Sequence, residues 1–170
     1  MTLLELSLDD IVRALIPAIY ETLIMVGISS VATVVLGLPL GVVLFVTQRG
    51  GIVANPVLSV ILSTIANITR SIPYAILMLS LIPFTRWLTG SSVGPIAACV
   101  SLTIGAVPFF ARLVESGLRD VQPGKVDAAH AMGSTRMQTV TKVLLPEAAP
   151  SLIAAVTTTV VTLVGYSARS

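Results

Sequence analysis

The feature that most constrains this chain is a run of 25 residues, 22–46, that contains no charged side chain. A helix of that length covers about 37 Å, enough to cross the hydrocarbon core of a bilayer. Charged residues make up only 11% of the 170 residues, whereas soluble domains carry about 25%. The sequence therefore predicts an all-α protein that lies in a membrane.

Further apolar stretches extend this prediction to a polytopic helix bundle with four spans. The predicted spans are residues 22–46, 56–84, 93–110 and 148–166, and a polar loop, 111–147, precedes the last of them. Gly37 and Gly41 lie four residues apart in the first span, and this spacing of small residues predicts close packing against another helix. Pro73 interrupts the second span.

Arg70 falls within the second predicted span. An arginine in the middle of a transmembrane helix costs about 2.5–3.5 kcal/mol on insertion scales. We therefore expect Arg70 to face the bundle interior or a water-filled pathway. The alternative is that its long side chain reaches a membrane interface.

The distribution of basic residues predicts the orientation. The loop 111–147 carries five of the ten Lys and Arg residues, so the positive-inside rule places it in the cytoplasm. Four spans then place the N-terminus outside. The first ten residues contain Glu5, Asp9 and Asp10 and no basic residue, which is not the charge pattern of a cleavable signal peptide.

Several functional classes are disfavoured by the residues present. The lone Cys99 lies in an apolar run, and the single His130 has no nearby Cys or His, so neither a metal nor another cofactor is expected. A net charge of +2 does not suggest nucleic-acid binding. Glu115 and Asp120 are expected to be solvated loop charges rather than a catalytic pair, and no glycine-rich phosphate loop is present. The protein is therefore not expected to be an enzyme.

Residues 127–146 have the pattern of a docking element. Small side chains at Ala128 and Ala129 precede Gly133, and the apolar run 143–145 ends at Pro146. The pattern predicts a short helix, a turn at Gly133, and a second short helix stopped by the proline. Small side chains would allow the surface of another protein to approach the backbone closely.

This stretch resembles the cytoplasmic "EAA" loop of permease subunits of bacterial ABC importers, E-A-A-x3-G-x9-I-x-L-P. Seven residues fall at the offsets of that pattern: Asp127, Ala128, Ala129, Gly133, Val143, Leu145 and Pro146. Asp127 replaces Glu and Val143 replaces Ile, and both changes are conservative. The resemblance implies that these residues couple the permease to a separate ATPase subunit, where ATP would be hydrolysed.

Most of the chain resembles the methionine-importer permeases within that superfamily. The segments that carry this resemblance are residues 70–74, 81–86, 108–115, 144–148 and 165–168. The resemblance implies import of methionine, as the L- and in some members also the D-enantiomer, across the inner membrane. It also implies the partners: a second permease copy, two ABC ATPase subunits, a substrate-binding lipoprotein and membrane lipid.

Two alternatives stay open at this point. The docking loop is shared with permeases for other small substrates, such as polar amino acids or osmoprotectants. The family's permeases also continue through a fifth span, whereas this sequence stops at Ser170. A truncated remnant that binds the ATPase without transporting is the second alternative, and this short form is expected not to support methionine uptake.

Overall fold

The computed structural model describes residues 8–48, 51–91 and 94–167, and these form a helix bundle around one central helix. The helices are α1 (Leu8–Val46), α2 (Pro56–Ser71), α3 (Tyr74–Thr89), α4 (Pro95–Arg119), α5 (Pro123–Ala131), α6 (Arg136–Thr139), a π-helix (Val140–Leu144), α7 (Leu145–Glu147) and α8 (Ala149–Ser167). Helix α4 contacts α1, α2, α3 and α8. The predicted all-α fold is confirmed.

Three helices among the described residues are long and apolar enough to cross a membrane. They are Ile11–Val46, Pro95–Arg119 and Ala149–Ser167. The helix pair α2 and α3 passes the same test only when it is taken together as one broken span. The chain therefore has the helices of a multi-span membrane protein.

Helices α1 and α4 approach each other closely where α1 carries glycine. A Cβ atom added to Gly37 would lie 2.7 Å from Cδ1 of Phe110, and one added to Gly41 would lie 2.6 Å from the carbonyl oxygen of Ala111. Phe110 and Ala111 are fully buried. The close packing predicted for this pair of glycines is confirmed, because any larger side chain would separate the two helices.

Proline divides the second predicted span into two helices that are inclined by 106°. Ile72, which precedes Pro73, is extended with φ −81° and ψ 126°, as the steric demand of the proline ring requires. Helix α3 then continues past residue 84 to Thr89 and ends at Gly90, which has a φ of +76°. Trp87, which falls between the predicted spans 56–84 and 93–110, therefore lies in the last turn of a helix.

Helix α4 ends at Arg119 rather than at residue 110, where the sequence predicts the end of the third span. Its extension buries Val114 and Leu118, which are one helical turn apart. The charged residues Arg112, Glu115 and Arg119, which fall in the predicted loop, belong to this helix. Glu115 is 3% exposed, so the prediction that it is a solvated loop charge is wrong, whereas Asp120 is exposed as predicted.

Pro146 does not stop the helix that precedes it. Residues 140–144 widen into a π-helix, in which the N–H of Leu145 donates to the carbonyl of Val140. The α pattern resumes where the N–H of Ala148 donates to the carbonyl of Leu144 at 2.9 Å. Pro146 lies in the first turn of α7, where its missing N–H is tolerated, and the helical path continues into α8.

Candidate docking surface

Apolar contacts fix α5 to the bundle. Ala129 is buried, and Val126 packs against the core cluster that contains Leu118 and Leu144. Lys125 and Glu147 form an ion pair at 2.5 Å, but both side chains are exposed, so the pair contributes at most about 1 kcal/mol. Packing therefore determines where α5 lies.

The turn after α5 depends on glycine. The N–H of Gly133 donates to the carbonyl of His130 at 2.9 Å, and the N–H of Ser134 donates to that of Ala129 at 3.1 Å. These two bonds are those of a Schellman motif, and Gly133 takes the left-handed conformation that the motif requires, with φ +80°. No atom lies within 4 Å of a Cβ added at Gly133. The backbone conformation, and not lack of space, is what requires glycine here.

Short polar side chains complete the turn from within. Thr135 and Gln138 form a capping box at the start of α6, in which each side chain accepts from the backbone N–H of the other residue. The Ser134 hydroxyl donates to the carbonyl of Ala129 at 2.7 Å and lies 2.9 Å from the hydroxyl of the fully buried Thr139. The turn is therefore held by bonds among residues at most five positions apart.

The structure places the seven predicted coupling residues in different environments. Asp127, Ala128, Gly133 and Pro146 are exposed, Val143 and Leu145 are half-buried, and Ala129 is buried. A groove brings three of them together, and it is lined by Ala129, Met132, Gly133, Ser134, Gln138, Lys142 and Val143. Leu145 instead packs against the core, and Asp127 and Pro146 lie outside the groove lining.

Two exposed methionines, which the sequence reasoning missed, flank the Gly133 turn. Met132 is 82% exposed and Met137 is 73% exposed. Methionine is flexible and polarisable, and it is common on surfaces that bind other proteins. The signal in the sequence was a large apolar residue on each side of the glycine within an otherwise polar stretch. We call the exposed faces of α5, the Gly133 turn and α6 the docking surface.

Arg70 belongs to the last turn of α2, next to the break between α2 and α3. Its side chain lies outside the part of the chain that the structure describes. The expectation that Arg70 faces the bundle interior or a pathway therefore stays a prediction.

Comparison with known families gives one match over most of the chain. Residues 37–168 match the family described as binding-protein-dependent transport system inner membrane component. The matched region includes α2 to α8 and the docking surface.

Individual relatives are similar over most of the chain. The chain is 53% identical over 150 residues to the D-methionine transport system permease protein MetI of Yersinia pestis, which covers 88% of this chain and 69% of the relative. It is 52% identical over 154 residues to the MetI protein of Escherichia coli K12, covering 91% and 71% respectively.

A solved structure has the same fold. An inward-facing conformation of the MetNI methionine ABC transporter matches with a TM-score of 0.92 and 50% sequence identity. The match covers 96% of this chain and 75% of the matched chain.

Proposed function

Because the chain belongs to the family of binding-protein-dependent transport system inner membrane components, we propose that it is the permease subunit of an ATP-driven importer of methionine. The identity of 53% to a D-methionine permease supports this substrate. L-methionine, D-methionine or both would cross the inner membrane. The proposed reaction is movement of substrate, so ATP hydrolysis belongs to a separate subunit.

The proposed assembly contains two copies of this permease, two ABC ATPase subunits and a substrate-binding lipoprotein. The similarity to the MetNI transporter supports the ATPase and the permease dimer. The lipoprotein would deliver methionine from outside, and the docking surface would meet the ATPase in the cytoplasm. The N-terminus would then lie outside, as the distribution of basic residues predicts.

The observation that carries the coupling role is the construction of the docking surface. A Schellman turn and a capping box fix its backbone, and Met132 and Met137 project from it into solvent. A rigid surface with large apolar side chains loses little conformational freedom when a partner covers it. These features suit a permanent contact with another subunit.

The docking surface is continuous with the helices that would line the pathway. Leu144 of the π-helix packs in one cluster with Leu118 of α4 and Ala155 of α8. A force on α5 or α6 would therefore be passed to both long helices. ATP binding would shift the transporter from one conformation to the other only if the ATPase binds ATP more tightly in one of the two conformations.

Arg70 is the proposed pathway or bundle-interior residue. It lies beside the 106° break between α2 and α3, where the chain changes direction. Irregular backbone at membrane depth is tolerated where it is buried in protein or lines a water-filled cavity. This supports an environment in which an arginine remains charged.

The test uses vesicles that contain a permease with these 170 residues and the fifth span of the family's permeases, together with the ATPase and binding protein of the same transport system. ATP-dependent accumulation of labelled L- or D-methionine is expected, and a non-hydrolysable ATP analogue is expected to abolish it. Labelled polar amino acids and a labelled betaine are tested in the same way. Accumulation of one of these compounds without accumulation of methionine would assign a different substrate, and uptake without ATP would contradict the mechanism.

A further inference from the structure

A cluster around a buried carboxylate connects α4 to α2 and to the segment that follows α1, at the end of α4 that leads to the docking surface. The Oε2 atom of Glu115 accepts from Arg112 at 2.5 Å, and its Oε1 atom accepts from Arg119 at 2.6 Å. Oε1 also accepts from the side-chain amide of Gln48, and the Nη2 group of Arg112 donates to Oδ1 of Asn67 at 2.8 Å. We call these five residues the Glu115 cluster.

The cluster connects parts of the chain that are far apart in sequence. Gln48 follows the end of α1 and is 67 residues from Glu115, and Asn67 of α2 is 45 residues from Arg112. The ion pairs of Glu115 with Arg112 and Arg119 lie within α4, at spacings of three and four residues. The bonds to Gln48 and Asn67 are thus what connect this end of α4 to the segment after α1 and to α2.

The two arginines hold Glu115 in different ways. The Arg119 side chain is 57% exposed, whereas that of Arg112 is 21% exposed and is bound at two positions. Water can replace Arg119 more readily than Arg112 because Arg119 is already largely hydrated. The buried carboxylate needs partners in every conformation, so the cluster favours discrete arrangements over gradual loosening.

The position of α4 makes these contacts sensitive to the docking surface. Only residues 120–122 separate Arg119 from the start of α5, and Leu118 packs with Leu144 of the π-helix. Movement of α5 and α6 therefore moves the turn of α4 that carries Glu115. The contacts to Gln48 and Asn67 would transmit that movement to α1 and α2.

We propose that Glu115 is a positioning residue that passes movement of the docking surface to α1 and α2, an inference that rests on the proposed coupling to an ATPase. The proposed role requires no contact of the carboxylate with the substrate or with the ATPase. Its role is to keep α1, α2 and α4 moving as one unit. Loss of its charge would separate ATP hydrolysis from the movement of these helices.

The test variant is Glu115→Gln in the intact transporter, because glutamine keeps the shape but removes the charge. We expect normal association with the ATPase and continued ATP hydrolysis, while the methionine transported per ATP hydrolysed falls about tenfold. Asp120→Asn is the matched control, since it makes the same chemical change at an exposed residue five positions along. It is expected to leave the ratio unchanged.

A second readout does not depend on methionine. Val57 of α2 is exposed, and ATP binding is expected to change the thiol reactivity of Val57→Cys about fivefold when Glu115 is present. The Glu115→Gln change should abolish this response. The transporter could fail to move methionine while Val57→Cys still responds to ATP when Glu115 is present. That result would reject methionine as the substrate and would leave the proposed role of Glu115 in place.

Asn67→Ala extends the test in case Glu115→Gln fails to assemble. Asn67 is exposed, and the change removes only the bond from Arg112. It should reduce the response of Val57→Cys to ATP while ATP hydrolysis continues. The proposal would be overturned if Glu115→Gln kept both the full response of Val57→Cys to ATP and the original amount of methionine transported per ATP. If only Asn67→Ala assembles, a full response of Val57→Cys to ATP in that variant would overturn it.

Discussion

The docking surface and the Glu115 cluster are both held by polar contacts, yet they are built in opposite ways. The turn at Gly133 is closed by bonds between residues at most five positions apart, and it presents its large side chains to solvent. The Glu115 cluster joins residues 45 and 67 positions apart and is centred on a carboxylate that is 3% exposed. The hydrogen bonds of the docking surface are local and its large side chains face solvent. The Glu115 cluster includes contacts between distant segments, and its carboxylate is buried.

This difference separates two requirements of a moving transporter. A surface that a partner pushes must keep its own shape, and local hydrogen bonds provide this without help from the bundle. A connection between helices must involve distant segments, and a buried charge makes such contacts costly to break. Substitutions in the Glu115 cluster should therefore lower the stability of the bundle, whereas substitutions in the docking surface should mainly weaken binding of the ATPase.

The largest effect is expected for Glu115→Leu. It removes the carboxylate and leaves the partly buried guanidinium of Arg112 without its charged partner. Removing one member of a buried pair costs about 3–5 kcal/mol, and we expect about 3 kcal/mol because Arg119 is largely solvated. The measurement is the temperature at which the detergent-solubilised protein loses its fold.

Asp120→Leu is the control for that measurement, because Asp120 is exposed at the end of the same helix. It should leave the melting temperature nearly unchanged. Equal losses in the two variants would show that the buried charge has no special role in stability.

A smaller and more local effect is expected for Gly133→Val. A β-branched residue at a φ of +80° costs about 1–3 kcal/mol, although space for the side chain is available. We expect the bundle to keep its stability while the dissociation constant for the ATPase rises about tenfold. Binding of labelled ATPase to vesicles containing the permease measures it.

Gly124→Val is the matched control for the turn, because a Cβ at Gly124 also has free space but the residue lies within α5. Gly133→Asn should be milder than Gly133→Val, since asparagine tolerates the left-handed conformation. Equal effects of valine at the two glycines would reject the conformational explanation.

Thr135→Ala should weaken the capping box by about 1 kcal/mol. It removes the side chain that accepts from the N–H of Gln138 and leaves the core untouched. Faster hydrogen exchange at the amides of α6 should reveal this, with exchange in α4 unchanged. Faster exchange throughout the bundle would mean that the docking surface is not a separate local unit.

The smallest effect is expected for Lys125→Met. The ion pair with Glu147 is exposed on both sides, so its loss should change stability by less than about 1 kcal/mol. Affinity for the ATPase should stay within about twofold of the original value, which corresponds to about 0.4 kcal/mol. A large loss would show that charge, rather than packing, determines where α5 lies.

Local features of the fold were accessible from the sequence. Gly133 predicted its turn because few other residues adopt a positive φ, and Pro73 predicted the interruption after α2. Gly37 and Gly41 predicted a close helix contact because only small residues permit one. In each case the physical cause lies within a few residues of the effect.

Features that depend on distant partners were not accessible. The charge of Glu115 suggested solvent, because Gln48 and Asn67 become its neighbours only after folding. The same charges made the end of α4 look like a loop. Pro146 suggested a helix end because proline has no N–H to donate. The π-helix before it, which shifts the hydrogen-bond pattern, leaves no signature in hydropathy.

Thiol protection of Met132→Cys tests most directly whether the ATPase covers the docking surface. With Cys99 replaced by alanine, a reagent is applied to both faces of membranes with and without bound ATPase. Trp87→Cys is the control, because Trp87 is 80% exposed and Met132 is 82% exposed. We expect bound ATPase to slow modification at position 132 at least about tenfold and to leave the rate at position 87 unchanged. Equal rates at position 132 with and without bound ATPase would contradict it.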